Sequence, residues 1–338
     1  MTARVVHLIV GPEHHGVVRF GIELQAALRA DGFAGTHHRA DDPSGLLPAA
    51  VPPGWGVHLQ FTDRLFGADA SAAVAAVREL VAQVHRGGGR ATATLHDLPQ
   101  PGDLANYATR ARAYTALSTI LDGVVVSSDH ERKMLGDIGI HRPITVVPLP
   151  IPAPVSERHT AADARSVAVF GFVYPGKGHA EVLDAMQGLP RDVAMMAVGE
   201  PSPGHDDVVD GLRRQAHAQH RSFVATGHVQ DDGLVRRLQA VTVPVVYHRH
   251  VSASGSLNSW MSAGRRPLVA ANRYAREIAS RNPTALHLFD DEPCSLSAAI
   301  RAALDEPAST WLPPGTVCSP TPGEAAESYS RFLGCVHR

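Results

Sequence analysis

Two hydrophobic rhythms alternate along this chain. Short apolar runs at residues 5–10, 57–61, 91–95, 124–126 and 144–147 read as buried strands. Between them apolar positions recur at helical spacing. In residues 16–30, Phe20, Leu24, Ala27 and Leu28 share one face, and in residues 71–84 Val74, Val77, Leu80, Val81 and Val84 do the same. Strands alternating with amphipathic helices predict a parallel sheet covered on both faces.

The series is interrupted at residues 148–154, where Pro148, Pro150, Pro152 and Pro154 occupy every second position. Such a stretch supports neither a helix nor a central strand, and with the polar residues 156–165 it predicts a linker. A second series follows, with strands expected at 167–170, 193–198, 223–225, 243–247, 267–270 and 285–289. One of its helices carries Val182, Leu183, Met186 and Leu189 on its apolar face. The expected fold class is α/β: two Rossmann-like, doubly wound domains at 1–153 and 154–320, then a separate helix at 321–338 striped by Ala326, Tyr329, Phe332 and Leu333. A length of 338 residues agrees with two cores rather than one.

Composition narrows the function classes. Thirty-one basic against 33 acidic residues leave no basic footprint for a nucleic acid. Cys294, Cys318 and Cys335 are confined to the last fifth of the chain and suggest neither a disulfide framework nor a cysteine metal site. The apolar start is too short for a signal peptide, and no run approaches the roughly 18 apolar residues of a membrane span, so the expectation is a cytoplasmic protein with at most peripheral membrane contact. The 20 histidines include no H-E-x-x-H pattern, and no metal is expected.

Ligands of doubly wound sheets bind beyond the carboxyl ends of the strands, and two facing domains place a cleft between their loops. Four strand-end loops are candidates. G-P-E-H-H-G at 11–16 ends the first strand and opens a helix at Gly16. Leu95-His96-Asp97 delivers an imidazole and a carboxylate to a strand end, and an aspartate there can equally cap the next helix. G-F-V-Y-P-G-K-G at 171–178 joins a buried strand to a helix through glycines and Lys177, which suits phosphate; an ordinary turn with a solvated lysine also fits. The run 247–258 adds His248, Arg249 and His250 before small residues at a helix start, a second anion-site pattern. Two such patterns in one domain favour a diphosphate ligand.

Taken in order and spacing, these segments resemble the retaining glycosyltransferases of family four, which have the GT-B fold, over essentially the whole chain. His15-Gly16 resembles their N-terminal glycine loop, with His15 where a second glycine is usual, and Leu95-His96-Asp97 their active-site histidine segment. Residues 124–135 and 144–148 resemble the segments closing the first domain. Phe170 through Gly178 matches the donor-diphosphate loop; Val198-Gly199 and Thr226-Gly227-His228-Val229 look like the loops beside the nucleotide base. The chain departs from the family pattern at Phe172, where an arginine is common, and where relatives carry two glutamates eight residues apart. Those positions are Ser252 and Trp260, or Val251 and Ser259 in the other register, and neither register supplies a carboxylate.

The resemblance implies two Rossmann-like domains facing across a cleft, with the final helix crossing back to the first domain. It implies retaining transfer of a sugar from a nucleotide-diphosphate sugar to a hydroxyl on a small molecule, glycan or lipid, with no metal and no cofactor beyond that co-substrate. His96 and Lys177 would be catalytic. Gly16, Gly171, Lys177, Gly227, His228, Val229, Ser252, Ser254, Gly255, Ser256 and Asn258 would hold the donor, with His15 and Asp97 on the acceptor side. The missing glutamates keep a second reading open, a noncatalytic GT-B protein that binds or stabilises a partner. A nucleotide-sugar epimerase is more remote, and a nicotinamide dehydrogenase is disfavoured because the first strand-to-helix turn lacks the glycine fingerprint.

Overall fold

The computed structural model describes residues 4–46, 51–159 and 165–337. They form two compact units, one drawing on the chain up to Pro150 and from Pro320 onward, the other on Ile151–Ser319. The first contains β1 (Val5–Val10), α1 (Gly16–Ala30), β2 (Gly35–Ala40), β3 (Gly56–Phe61), α2 (Asp63–Phe66), α3 (Ala70–Arg86), β4 (Ala91–Leu95), α4 (Tyr107–Ile120), β5 (Gly123–Val126), α5 (Asp129–Asp137) and β6 (Thr145–Val146). Its strands form one parallel sheet in the order β2-β1-β3-β4-β5-β6. Alternation along β1 sends Val6, Leu8 and Val10 into the core under α3 and α4, and Val5 to the opposite face.

The hydrophobic pattern does not announce β2. Its sequence, G-T-H-H-R-A, has no apolar alternation, because an edge strand pairs on one side only and here buries no residue fully; the backbone ladder to β1 makes it a strand.

The second unit contains β7 (Ser166–Phe170), α6 (His179–Ala185), β8 (Ala194–Val198), α7 (Asp206–Ala218), β9 (Phe223–Ala225), α8 (Asp231–Gln239), β10 (Val243–Val246), α9 (Gly255–Ser262), β11 (Leu268–Ala270), α10 (Arg273–Arg281), β12 (His287–Phe289) and α11 (Pro293–Asp305). Its parallel sheet runs β12-β11-β10-β7-β8-β9. Val167 and Val169 face the core with α6, α7 and α11, while Ala168 faces the core with α9 and α10. The two series of doubly wound strands read from the sequence are therefore both present.

Two local expectations change. The helix expected to run through Leu189 stops at Ala185, ahead of Gly188 and Pro190. The buried Arg221 holds the turn that follows, donating to the carbonyls of Met186 (2.7 Å), Leu189 (3.2 Å), Pro190 (2.9 Å) and Val193 (2.5 Å). The proline run is also less of a free linker than its composition suggests. Ile151 is buried in the second unit's core, and the Val155 N–H donates to the Ser262 carbonyl at 2.8 Å. Of the polar stretch 156–165, residues 160–164 lie outside the described residues.

The tail helix α12 (Pro322–Val336) belongs to the first unit. Its start is written in the sequence T-P-G-E: the Glu324 N–H donates to the Thr321 hydroxyl (3.2 Å) and the Thr321 N–H to the Glu324 carboxylate (2.7 Å). Ala325, Ala326, Tyr329 and Leu333 are buried against Val5, Leu24, Leu28, Val125 and Val147. The same contact is polar at its centre. The fully buried His58 imidazole bonds the Thr92 and Thr94 hydroxyls, both at 2.9 Å; Thr94 bonds the Tyr329 hydroxyl (2.8 Å) and Thr92 the His337 Nε2 (3.1 Å). The His7 ring lies 5.2 Å from that of His58.

These imidazoles are held neutral. Burial takes His7 down to about 3, helped by His337 and His37; it takes His337 to about 4, which Asp122 opposes and Arg90 supports; it puts His58 well below its ordinary value. The unfolded chain takes up protons as pH falls below 6.5, and the folded unit refuses them until about 3 to 4, so stability is lost in that window. The thermal midpoint should fall as pH is lowered from 6.5 toward 4. It should fall less steeply in a His7→Gln, His337→Gln variant, and equal slopes would contradict this account.

Candidate functional site

In the second sheet the strand order reverses between β7 and β10, and the loops leaving these two strands meet there. This crevice is where doubly wound sheets take ligands. The loop after β7 carries Gly171 and Lys177, and the loop after β10 carries Arg249, Ser252 and Ser254. The Arg249 N–H donates to the Gly176 carbonyl at 3.0 Å. Gly178, at φ +100°, lies so close to the β10 loop that a Cβ there would sit 2.2 Å from the Tyr247 oxygen.

Lys177 is buried in this junction, 7% exposed, and its ammonium donates to the Ser256 hydroxyl at 3.2 Å. Ser256 is 3.2 Å from the Ser254 hydroxyl, which also accepts from the Leu257 N–H (3.2 Å) and so caps α9; the Ser254 N–H donates to the Tyr274 hydroxyl (3.1 Å). Ser252 and Asn258 are buried beside them, and Gly255 opens to free space. Burial draws the Lys177 pKa down to about 8. Burial and then Lys177 take His179 to about 3, and burial, Lys177 and His179 hold His248 well below its ordinary range. Neither ring nitrogen of His179 has a hydrogen-bond partner among the described residues. The neighbouring Arg249 is shared with Glu181 (3.9 Å) and Asp291 (3.8 Å). A desolvated cation beside hydroxyls and a helix N-terminus attracts an anion far more strongly than an exposed lysine would. Trp260, one of the positions where relatives carry a glutamate, turns into the core with its ring 6.2 Å from that of Phe170.

Beside this junction the ends of β8 and β9 carry Gly199-Glu200 and Gly227-His228-Val229. The Gly199 N–H donates to the Thr226 hydroxyl at 3.0 Å. The Glu200 carboxylate stands 3.8 Å from the His228 ring, and Val229 packs partly into the core.

In the first unit, β4 delivers His96 to its carboxyl end, where it is 7% exposed. Its Nε2 meets the Gln60 amide oxygen at 2.9 Å, the Phe20 ring packs edge-on at 5.4 Å, and the Tyr114 hydroxyl donates to the His96 carbonyl at 2.7 Å. Burial brings His96 down to about 4; Asp97 opposes that and His15 adds to it. His15 caps α1, its Nδ1 accepting from the Val17 N–H at 3.3 Å, and burial lowers its pKa against the pull of Asp97. Thus His15, His96 and Asp97 are electrostatic neighbours, while Gly16, at the start of α1, is exposed with open space beside it.

The loop after His96 is pinned by a buried ion-pair network. Arg110 grips Asp63 through two hydrogen bonds (2.9 and 2.8 Å), Asp103 through a third (2.5 Å) and the Asp97 carbonyl through a fourth (2.5 Å). Burial works against the Arg110 charge, but the Asp63 hydrogen bond and the surrounding acidic groups hold its pKa above the ordinary arginine range. The sequence reading missed Arg110, Asp63, Gln60, Glu200 and His179. Gln60 had a signal, since a polar side chain inside an apolar strand needs a buried partner; the Arg110 partners are joined only by tertiary contact.

Among the described residues no three or more His, Cys, Asp or Glu side chains gather as a metal site, and no helix is long and apolar enough to cross a membrane.

This architecture is the GT-B fold of glycosyltransferase structures. HepE of Anabaena in complex with UDP-glucose superposes with a TM-score of 0.68 at 14% identity, over 99% of this chain and 97% of that one. Sucrose-phosphate synthase of Thermosynechococcus elongatus gives 0.68 at 16% identity, over 99% and 96%. A glycosyltransferase of Rickettsia africae gives 0.65 at 12%, over 99% and 93%. No protein-family profile and no curated protein sequence matches the chain.

Removing one partner from a buried ion pair leaves the other charge without compensation. Arg110→Leu should therefore destabilise the first unit by about 3–5 kcal/mol. Chemical denaturation followed by a probe in that unit checks this, and a loss within about 1 kcal/mol would show the network to be dispensable.

Proposed function

We propose that the chain is a retaining glycosyltransferase that moves a sugar from a nucleotide-diphosphate sugar to a hydroxyl acceptor without a metal ion. The observation that carries this reading is Lys177: a buried ammonium at the switch point of the second sheet, bonded to Ser256 and paired with no carboxylate among the described residues. A diphosphate supplies the missing counter-charge. The HepE structure, with the same fold, contains UDP-glucose, which supports a nucleotide sugar as the donor.

In the proposed reaction the bond between the sugar anomeric carbon and the diphosphate oxygen breaks, with its electron pair leaving on the diphosphate. The acceptor oxygen bonds the same face of that carbon and yields its proton to the departing phosphate. Charge builds on the leaving group, where Lys177 and the N–H groups at the start of α9 stabilise it as it forms. That stabilisation is the task a metal would otherwise perform. His96, neutral and oriented by Gln60, positions the transferring sugar, with His15 and Asp97 on the acceptor side. The acceptor in this reading is a hydroxyl-bearing small molecule, glycan or lipid, and the chain acts in the cytoplasm. The second reading, a noncatalytic partner-binding protein, draws on Phe172 and on the lack of a carboxylate at Val251, Ser252, Ser259 and Trp260.

Lys177→Ala should weaken nucleoside-diphosphate binding about ten- to a hundredfold, the worth of one charge-assisted hydrogen bond. Calorimetry on the folded variant measures this, and unchanged affinity refutes the diphosphate assignment. His96→Ala should keep nucleotide affinity and lose most turnover, because a group acting mainly in the transition state changes kcat more than ground-state binding. Native turnover in that variant would make His96 structural. Absence of both transfer and slow donor hydrolysis in the native chain would favour the partner-binding reading.

A further inference from the structure

At the rim of the lysine site stands Glu200, a carboxylate with no hydrogen-bond partner among the described residues and an ion-pair contact only to the His228 ring. Its backbone is clamped to the chain leaving β7: the Val173 N–H donates to the Glu200 carbonyl (2.8 Å), the Ser202 N–H to the Val173 carbonyl (2.9 Å), and Val173 and Pro201 form an isolated parallel bridge. The preceding Gly199, at φ +144°, approaches so closely that a Cβ would lie 2.2 Å from the Gly171 oxygen. The carboxylate itself is part-exposed, and the His228 Nδ1 stands 3.8 Å away, beyond hydrogen-bonding distance. The other carboxylates near the junction, Glu181 and Asp291, face Arg249.

The position matches the far end of a nucleotide. A diphosphate on Lys177 leaves its nucleoside two ways to run along the strand ends. On the β10 side stand Arg249 and its two acidic partners. On the other side β8 and β9 end in Gly199 and Gly227, so the Glu200–His228 pair lies one to two strands outward, about 5–10 Å from the lysine site.

We propose that Glu200 reads the nucleobase of the donor and selects guanine. The inference rests on the nucleotide-sugar reading of the same site. An ionised carboxylate is acceptor-only and takes two parallel N–H donors best. Guanine presents two adjacent donors, the ring N1–H and the exocyclic amine. Uracil presents one N–H between two carbonyl oxygens, and adenine sets its amine beside a ring-nitrogen lone pair, so either base turns a lone pair toward the carboxylate. Discrimination comes as much from that repulsion as from the guanine contact.

Calorimetric titration of the native chain with GDP, UDP, ADP and inorganic pyrophosphate tests this. GDP should bind at least about tenfold more tightly than UDP or ADP. In Glu200→Gln one acceptor becomes a donor: the GDP preference should disappear, ADP should gain relative to GDP, and pyrophosphate affinity should stay unchanged. UDP or ADP binding as tightly as GDP, or a GDP preference that survives Glu200→Gln, overturns the assignment to Glu200 while leaving the diphosphate site standing. If neither the nucleotides nor pyrophosphate bind, the donor-site reading falls, and the base reader falls with it.

Discussion

A lysine ammonium kept out of water is costly unless something in the fold answers it, and in the second unit the answer is a serine hydroxyl. Burial draws Lys177 to about 8, and Ser256, 79 residues along the chain, accepts a hydrogen bond from it. This arrangement depends on the loops of β7 and β10 coming together, which depends in turn on the strand order reversing between them. Gly178 permits the approach, and Ser254 fixes the start of α9 at the same point. The rest of the unit supports that junction: Trp260 under Phe170 seats α9, and Arg221 closes the turn after α6.

The first unit handles polarity differently. Two of its buried polar groups have several partners each, Arg110 being shared among Asp63, Asp103 and the Asp97 carbonyl, and His58 between two threonines. Fully satisfied networks make a core rigid and specific. The Arg110 network fixes the loop after His96, while Gln60 fixes the imidazole itself, so the candidate catalytic group is held on two sides by residues from other elements. The His58 network does the same for α12, tying the end of the chain to the middle of the sheet.

Electrostatically the two sites are complementary in kind. The lysine site has one buried ammonium with two imidazoles that burial holds neutral, whereas the His96 site has an imidazole held neutral beside a carboxylate and a second imidazole. The first arrangement suits stabilisation of negative charge, and the second suits holding a neutral group in place.

Much of this was legible in the sequence. Buried parallel strands are written as continuous apolar runs, amphipathic helices as a 3.6-residue repeat, and helix starts such as T-P-G-E as local chemistry, because each depends on neighbours within a few residues. The lysine loop and the Leu95-His96-Asp97 strand end could be picked out for the same reason. The edge strand β2 could not, since a half-buried strand at a sheet edge needs no apolar alternation. The turn after α6 is held by Arg221, from beyond the next strand, a contact that no local pattern announces. Above all, the sequence could show that Lys177 and Ser256 each lay in an anion-friendly loop, and that Asp97 followed His96. It could not show that the lysine is buried, that Arg110 takes the Asp97 carbonyl, or that Glu200 is left with no hydrogen-bond partner among the described residues. Those are properties of strand order and burial, and only the folded sheet decides them.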